Sequence, residues 1–363
     1  FAQLSRISTY LVETHLNPQQ WGGLQSSLEE GTWVRMQVAP DAPYSGTLVE
    51  AYSEGTPEPI RMMLSALGED ELSGILARIR LPEGSTQSNI EQLLFGIVPR
   101  GDTFVAVYNV GQGLCCAICN AIDSAPLIYF DMGCGCYWNA HTMPNKVRFC
   151  FTHKPPIILS HWHVDHYMAA RFHDTRALGT KWIAPLQKVG PTSARFAAAL
   201  AIKGNLLLWP TALQSMSTPW GDIVKCTGAT LNTSGLALFA KVSQGASASR
   251  HDFHVLLPGD AGYDDIPNIS NTPFDALVAT HHGGEALGTP PRMRGKEPPF
   301  VLSFGIANTY HHPIKTFVDA LTKAGWTRRI ETHNGHIALG LPATIPLRQG
   351  CNGKKCDLTI KQR

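Results

Sequence analysis

Ser160-His161-Trp162-His163-Val164-Asp165-His166 places four metal-capable side chains within six residues, directly after the apolar run 156–159. At i and i+2 on a tight loop, His161 and His163 can point at one ion. Asp165 and His166 turn the other way, toward a second. Imidazole and carboxylate donors suit zinc, and also manganese or iron. A purely structural cluster of this kind would leave polar groups in need of partners. The block therefore reads as a two-metal platform.

Such a platform needs a scaffold that brings strand ends together. From residue 101 onward, short apolar β-rich runs recur, each closed by Gly or Asp: 104–110, 127–130, 156–160, 206–208, 236–240, 255–257, 276–279 and 300–304. Helical patterns interrupt them at 167–177, 193–201 and 314–323. Many strands with fewer helices predict an α/β fold of two sheets covered by helices. No fixed-period repeat occurs. Upstream, helices are expected over 1–13 and 57–78, where Ile60, Met63, Leu64 and Leu67 share a helical face, with a strand over 33–38. Asp70-Glu71-Leu72 starts or renews a helix.

The chain has 363 residues, enough for two domains. A hydrophobic content of 44% with 16% charged residues excludes a largely disordered protein. No run approaches a membrane span, and residues 1–6 do not resemble a signal peptide, so no membrane association is expected. The net charge of +2 excludes a histone-like cation. It also hides an asymmetry: residues 1–100 carry −6 and the remainder +8, and 14 of the 15 histidines follow residue 140. This predicts a small α/β module over 1–100 for assembly or regulation, a chemical domain over 101–345 and a basic tail over 346–363. The module is a candidate surface for a protein partner or for homo-oligomerisation. Nine cysteines, an odd and crowded set, point to a reducing, cytoplasmic setting. Cys115, Cys116 and Cys119 read as small buried hydrophobes, with thiolate zinc binding there or at Cys134 and Cys136 the less favoured alternative.

The HxHxDH block after an apolar strand resembles the metallo-β-lactamase superfamily, with its four-layer αββα fold. Further blocks in order are similar to the soluble hydrolase domain of ComEC-type DNA-uptake proteins. They are Val110-Gly111-Gln112-Gly113, Phe130-Asp131-Met132-Gly133, Leu256-Leu257-Pro258-Gly259-Asp260 and His281-His282-Gly283-Gly284. Ser303-Phe304-Gly305 follows, with Asn308, Tyr310, His312 and Pro313, and then Asn334-Gly335. The resemblance implies two divalent metal ions, Zn2+ or Mn2+, held by His161, His163, Asp165, His166, Asp260 and one of His281 and His282, with His282 preferred. Asp260 would bridge both ions. Asp131 would orient a ligand, its alternative being a turn residue before Gly133. No histidine between the block and Asp260 fits a further ligand, so the first ion would rely on His161, His163, Asp260 and water.

The implied chemistry is hydrolysis by a water activated between two metals. Asp165, His281 and His312 are the candidate catalytic residues, with His312 or His281 giving a proton to the leaving group. Asn308 and Tyr310 are candidate substrate contacts. The preferred substrate is a phosphodiester in DNA or RNA, its backbone followed by Arg292, Arg294, Lys296, Lys315, Lys323, Arg328 and Arg329. The alternatives are a small phosphodiester or other small molecule (phosphocholine-type esterase, cyclic-nucleotide phosphodiesterase, lactonase) and a non-catalytic partner-binding protein with a relic metal site.

Overall fold

A computed structural model of the chain describes residues 2–14, 33–52, 55–144, 147–244, 251–285, 288–341 and 360–361. Most of the expected basic tail lies outside these residues. The chain forms two compact units: Phe1–Pro82 with Lys188–Gly204, and Glu83–Gln187 with Asn205–Arg363. The units part after Pro82, not near residue 100. Ile90 and Leu94, on the helix Gln87–Phe95, are fully buried in the second unit's core. The Ser85 amide donates to the Leu208 carbonyl at 2.8 Å, which ties this segment to the same unit.

Among the described residues, the first unit holds an antiparallel four-stranded sheet in the order Tyr10–Glu13, Tyr44–Glu50, Glu58–Ala66, Val34–Val38. Two of the expected helices give way to strands. Residues 1–13 form a short 3-10 turn, Ala2–Arg6, and then a strand in which Leu11 and Val12 pair with Val49 and Leu48. Within 57–78, Glu58–Ala66 is a strand and only Glu69–Ile79 is helical. The apolar residues of 60–67 satisfy both periods, but exposure alternates around buried Met62, and pairing on both sides selects the strand. The helix Pro191–Ile202 also belongs to this unit, with Pro191 in its first turn, where the missing amide costs nothing.

The second unit is mixed α/β with two facing sheets, as expected. Among the described residues, one has eight strands in the order Leu206–Trp209, Trp182–Pro185, Ile157–Ile158, Pro126–Phe130, Cys116–Asn120, Thr103–Val107, His336–Leu339, Ile360–Lys361. The other has seven: Ser215–Thr218, Gly221–Lys225, Leu236–Gln244, His251–Leu257, Ala276–Val278, Pro299–Leu302, Arg328–Glu331. Val105, Ile118 and Ile128 from the first meet Ile223, Leu238 and Val255 from the second in one buried layer. Each such side chain contributes about 1.5–3 kcal/mol of burial. On the outer face of the seven-stranded sheet, Phe317 and Leu321 of the helix Lys315–Lys323 pack with Phe300, Leu302 and Trp326. The expected helix over 167–177 is broken into Ala169–Phe172 and a 3-10 turn, Thr175–Gly179. Among the described residues, no helix is long and apolar enough to cross a membrane.

Parallel pairing decides where chemistry can gather. Pro126–Phe130 runs parallel to Ile157–Ile158, and His251–Leu257 runs parallel to Ala276–Val278 and, through it, to Pro299–Leu302. Asp131, Ser160, Asp260, Thr280 and Ser303 all lie just beyond the carboxyl ends of these strands. That is where open α/β sheets place their ligands.

Candidate metal centre

Two groups of potential ligands converge at these strand ends. His161, His163 and Asp260 form one, and Asp165, His166 and His282 the other, with the ligand atoms of each group within 4.8 Å of one another. Asp260 spans both. Its Oδ1 lies 3.1 Å from His166 Nε2 and 3.8 Å from His282 Nε2, while its Oδ2 lies 3.7 Å from His161 Nε2. Asp165 Oδ2 is 3.1 Å from His282 Nε2.

The hydrogen bonds behind the centre fix which nitrogen of each ring faces it. The Ser160 amide and hydroxyl donate to the two oxygens of Asp131 at 2.6 and 2.8 Å. His166 Nδ1 donates to Asp131 Oδ2 at 2.8 Å. With its proton given to Asp131, Ser160 Oγ accepts from His161 Nδ1 at 3.0 Å. His282 Nδ1 donates to the Ser303 carbonyl at 2.9 Å. All three rings thus carry their proton on Nδ1 and turn Nε2 inward, the tautomer a metal ligand requires. The Nε2 atoms of His161, His166 and His282, and Oδ1 of Asp260, are buried without a hydrogen-bond partner. Four buried polar atoms without partners converging on one volume are costly unless cationic charge, from protons in the metal-free protein or from metal ions, sits among them. The residues fit a pair of divalent ions.

Local backbone shape makes these contacts. Asp131 adopts a left-handed φ of 61°, which turns its carboxylate across to Ser160. His281 and His282 are consecutive left-handed residues, with φ of 50° and 56°. Non-glycine residues seldom hold this conformation, and here it directs His282 inward. Trp162 points the opposite way from its two neighbours and donates from Nε1 to the Pro185 carbonyl. Gly133 passes so close to the Asp165 turn that a Cβ there would lie 1.6 Å from the Asp165 carbonyl oxygen. A Cβ on Gly235 would lie 2.2 Å from the Ser160 carbonyl oxygen and 3.1 Å from His161 Cβ.

Electrostatics separate the rings. Burial, then neighbouring His166, pushes His161 well below the usual histidine range. Burial works against a charge on His166 too, but Asp260, Asp131 and Asp165 together hold it well above that range. His282 is likewise raised against its burial, by Asp260 and Asp165. Burial opposes ionisation of Asp260 and Asp165, yet the surrounding imidazoles, His166 foremost, keep both carboxyls below the carboxylate range.

The remaining expected residues fall around this core. His281 is partly exposed, with Nε2 3.8 Å from Asp260 Oδ2, and stands outside both groups. The His312 ring lies 5.2 Å from that of His281. Burial, followed by His282 and His281, pushes His312 down to about 4, so it is neutral at neutral pH. Asn308, expected to touch substrate, is buried and gives its amide to its own loop instead. Its Nδ2 donates to the Gly305 and His312 carbonyls at 2.8 and 2.7 Å, and its Oδ1 accepts from the His312 amide at 3.0 Å. Tyr310 is half exposed beside His312. Of the basic residues, Arg294 pairs with Asp275, Lys315 with Asp319 and Arg329 with Glu331. Arg292, Lys296, Lys323 and Arg328 are exposed. Among the described residues no cysteine joins a candidate metal group; Cys115, Cys116, Cys119, Cys134 and Cys136 are free and buried. Ser160 and Ser303 were not singled out from sequence as site residues, because a serine hydroxyl and a backbone carbonyl carry no ligand signature.

No protein-family model matches the sequence, and no curated protein matches it. Solved structures do. The chain is similar to the metallo-β-lactamase fold protein YhfI of Bacillus subtilis, at 13% identity and a TM-score of 0.32, covering 63% of this chain and 95% of that one. It is similar to a variant of the β-hydroxylase CmlA, at 12% identity and a TM-score of 0.35, covering 82% and 69%. A long-form RNase Z from yeast matches at 11% identity and a TM-score of 0.30, covering 64% and 40%.

Proposed function

We propose that this chain is a metal-dependent hydrolase of the metallo-β-lactamase superfamily, akin to the ComEC-type hydrolase domain, that cleaves phosphodiester bonds in DNA or RNA. One observation carries the metal reading: the buried Nε2 atoms of His161, His166 and His282 and Oδ1 of Asp260 converge without partners. Two divalent ions held there, Zn2+ or Mn2+, would supply a nucleophilic water at neutral pH and neutralise charge growing on a phosphoryl oxygen. His161, His163 and Asp260 would hold the first, and Asp165, His166, His282 and Asp260 the second.

The chain's own groups do the rest. Asp131 and Ser160 keep His161 and His166 in the ligating tautomer. Asp165 would act as a ligand of the second ion, its Oδ2 lying 3.1 Å from His282 Nε2. His281 and His312 stand together beside the buried ligands, where they would serve a leaving oxygen. The net charge of +8 on residues 101–363 and exposed Arg292, Lys296, Lys323 and Arg328 support a polyanionic substrate. Residues 1–100 serve a protein partner or self-assembly in this reading, and the buried free thiols support a reducing, cytoplasmic setting.

The test is metal analysis followed by cleavage of a panel: single- and double-stranded DNA, RNA, bis-p-nitrophenyl phosphate and a lactone. Metal-dependent cleavage of nucleic acid, abolished by Asp165→Ala, is expected. Turnover unchanged in that variant would sink the two-metal reading. Cleavage of the lactone alone would move the substrate to the small-molecule class.

A further inference from the structure

Gln112 belongs to a sequence block with no part in metal binding, yet it is buried beside the centre. Its backbone amide donates to Thr142 Oγ1 at 2.9 Å, and that hydroxyl donates to the Asn139 carbonyl at 2.7 Å. Its side chain meets the Gly305 amide through Oε1 and His312 Nδ1 through Nε2, both at 3.4 Å. The Gly305 amide can only donate, so the oxygen of the Gln112 carboxamide must face it. The NH2 group then faces His312, and an NH2 group can only donate. His312 Nδ1 is therefore the acceptor, and the ring proton resides on Nε2. Asn308 holds the His312 backbone from both sides, so Gln112 acts on a ring already fixed in place. The Nε2 edge runs along Gly284, where a Cβ would lie 2.6 Å from Nε2; glycine keeps that edge clear.

We propose that Gln112 is a positioning residue that locks His312 as its Nε2–H tautomer, so that His312 presents a hydrogen-bond donor, not a base, to the substrate. This is opposite to the three ligand rings, which carry their proton on Nδ1. Resting on the hydrolase reading above, the consequence is that His312 donates to a non-bridging or leaving oxygen as negative charge develops on it. A donor aimed at that oxygen is worth about 100-fold or more in rate.

The experiment is a long-range 1H–15N spectrum of the full chain with 15N-labelled histidine, metal-free and zinc-saturated, with His312 assigned by its loss in His312→Asn. Expected is a bare-nitrogen shift for Nδ1 and a protonated shift for Nε2. Gln112→Glu presents an acceptor and reverses the pattern, and Gln112→Met, which offers neither, leaves a mixture. A merely structural role would make the two variants alike. On a cleaved substrate, Gln112→Glu lowers kcat about 100-fold, with KM within about threefold. A wild-type ring protonated on Nδ1 overturns the inference, whatever the enzyme cleaves. A wild type that cleaves nothing in the panel but shows Nε2–H overturns the hydrolase reading and upholds the lock. Should Gln112→Glu fail to fold, the wild-type and Gln112→Met spectra decide.

Discussion

The two halves of the candidate centre share Asp260 and, behind their rings, the Asp131–Ser160 pair, but each ring is held differently. In the half built from Asp165, His166 and His282, the rings are held from behind by groups on distant elements: Asp131 for His166 and the Ser303 carbonyl for His282. In the half built from His161 and His163, His161 leans on the hydroxyl of the adjacent Ser160, and His163 is only half-buried. A carboxylate behind an imidazole makes the ring a stronger donor and fixes its aim, whereas a hydroxyl does this weakly. Two sites a few ångströms apart should therefore differ in affinity, the His166 half filling first.

Asp260→Asn tests what the halves have in common and should have the largest effect. The carboxamide cannot offer a negative oxygen to each side. Zinc titration calorimetry is expected to show both binding steps weakened by more than about 100-fold, beyond the cost of losing a supporting partner. If only one step weakens, Asp260 serves one half and the shared-carboxylate picture fails.

Two glycines separate the halves next. Gly133→Ala drives a Cβ against the Asp165 carbonyl, and Gly235→Ala drives one against the Ser160 carbonyl. Each should cost about 1–3 kcal/mol through backbone displacement, read as a lower midpoint in urea. Gly133→Ala should weaken the tighter zinc step, and Gly235→Ala the looser one. Equal loss in both steps from either variant would mean that the halves move as one body.

How far the sequence reveals this centre depends on how local each part is. His161, His163, Asp165 and His166 fall within six residues, so spacing alone divides them into two pairs. Asp260 and His282 lie about 100 residues downstream, and only the ordered blocks resembling a known family pointed to them. The choice of His282 over His281 rests in the structure on two left-handed residues, a conformation that histidine does not advertise. Gln112 and Ser160 escaped notice as functional side chains because their roles depend on which hydrogen-bonding atom faces a ring. Eight strands of the second unit were legible because burial gives continuous apolar runs, whereas Trp182–Pro185, Ser215–Thr218, Gly221–Lys225, Arg328–Glu331 and His336–Leu339 did not stand out as such runs. In the first unit, the residues of 60–67 fit two periodicities, and pairing decided between them.

Asp131→Asn probes the support behind the tighter half with a smaller perturbation. The carboxamide keeps the size of the group but removes the charge behind His166. Loss of such a partner costs about 10–100-fold in metal affinity. The tighter zinc step should weaken by that amount and the looser one much less, although Ser160 links Asp131 to His161. Equal weakening would show that Ser160 passes the full effect across and that the halves share one support.

Proton release gives the finest distinction. In metal-free protein His166 and His282 are raised above the ordinary histidine value of about 6.5, and His161 is lowered. The raised pair contributes stability that is fully present below about 6.5 and is lost as pH rises through the raised values. The lowered His161 does the reverse: its contribution is present above about 6.5 and is lost as pH falls through its own value. Because a ligand must be unprotonated, zinc entering the His166 half at pH 7 should expel about one to two protons, and zinc reaching His161 none from that ring. Calorimetry at one pH in buffers of different ionisation enthalpy measures the number directly. The release should accompany the tighter step and disappear in Asp165→Ala if that variant loses the tighter site. Release that persists there would place the protons on the His161 side and reverse the electrostatic contrast between the halves.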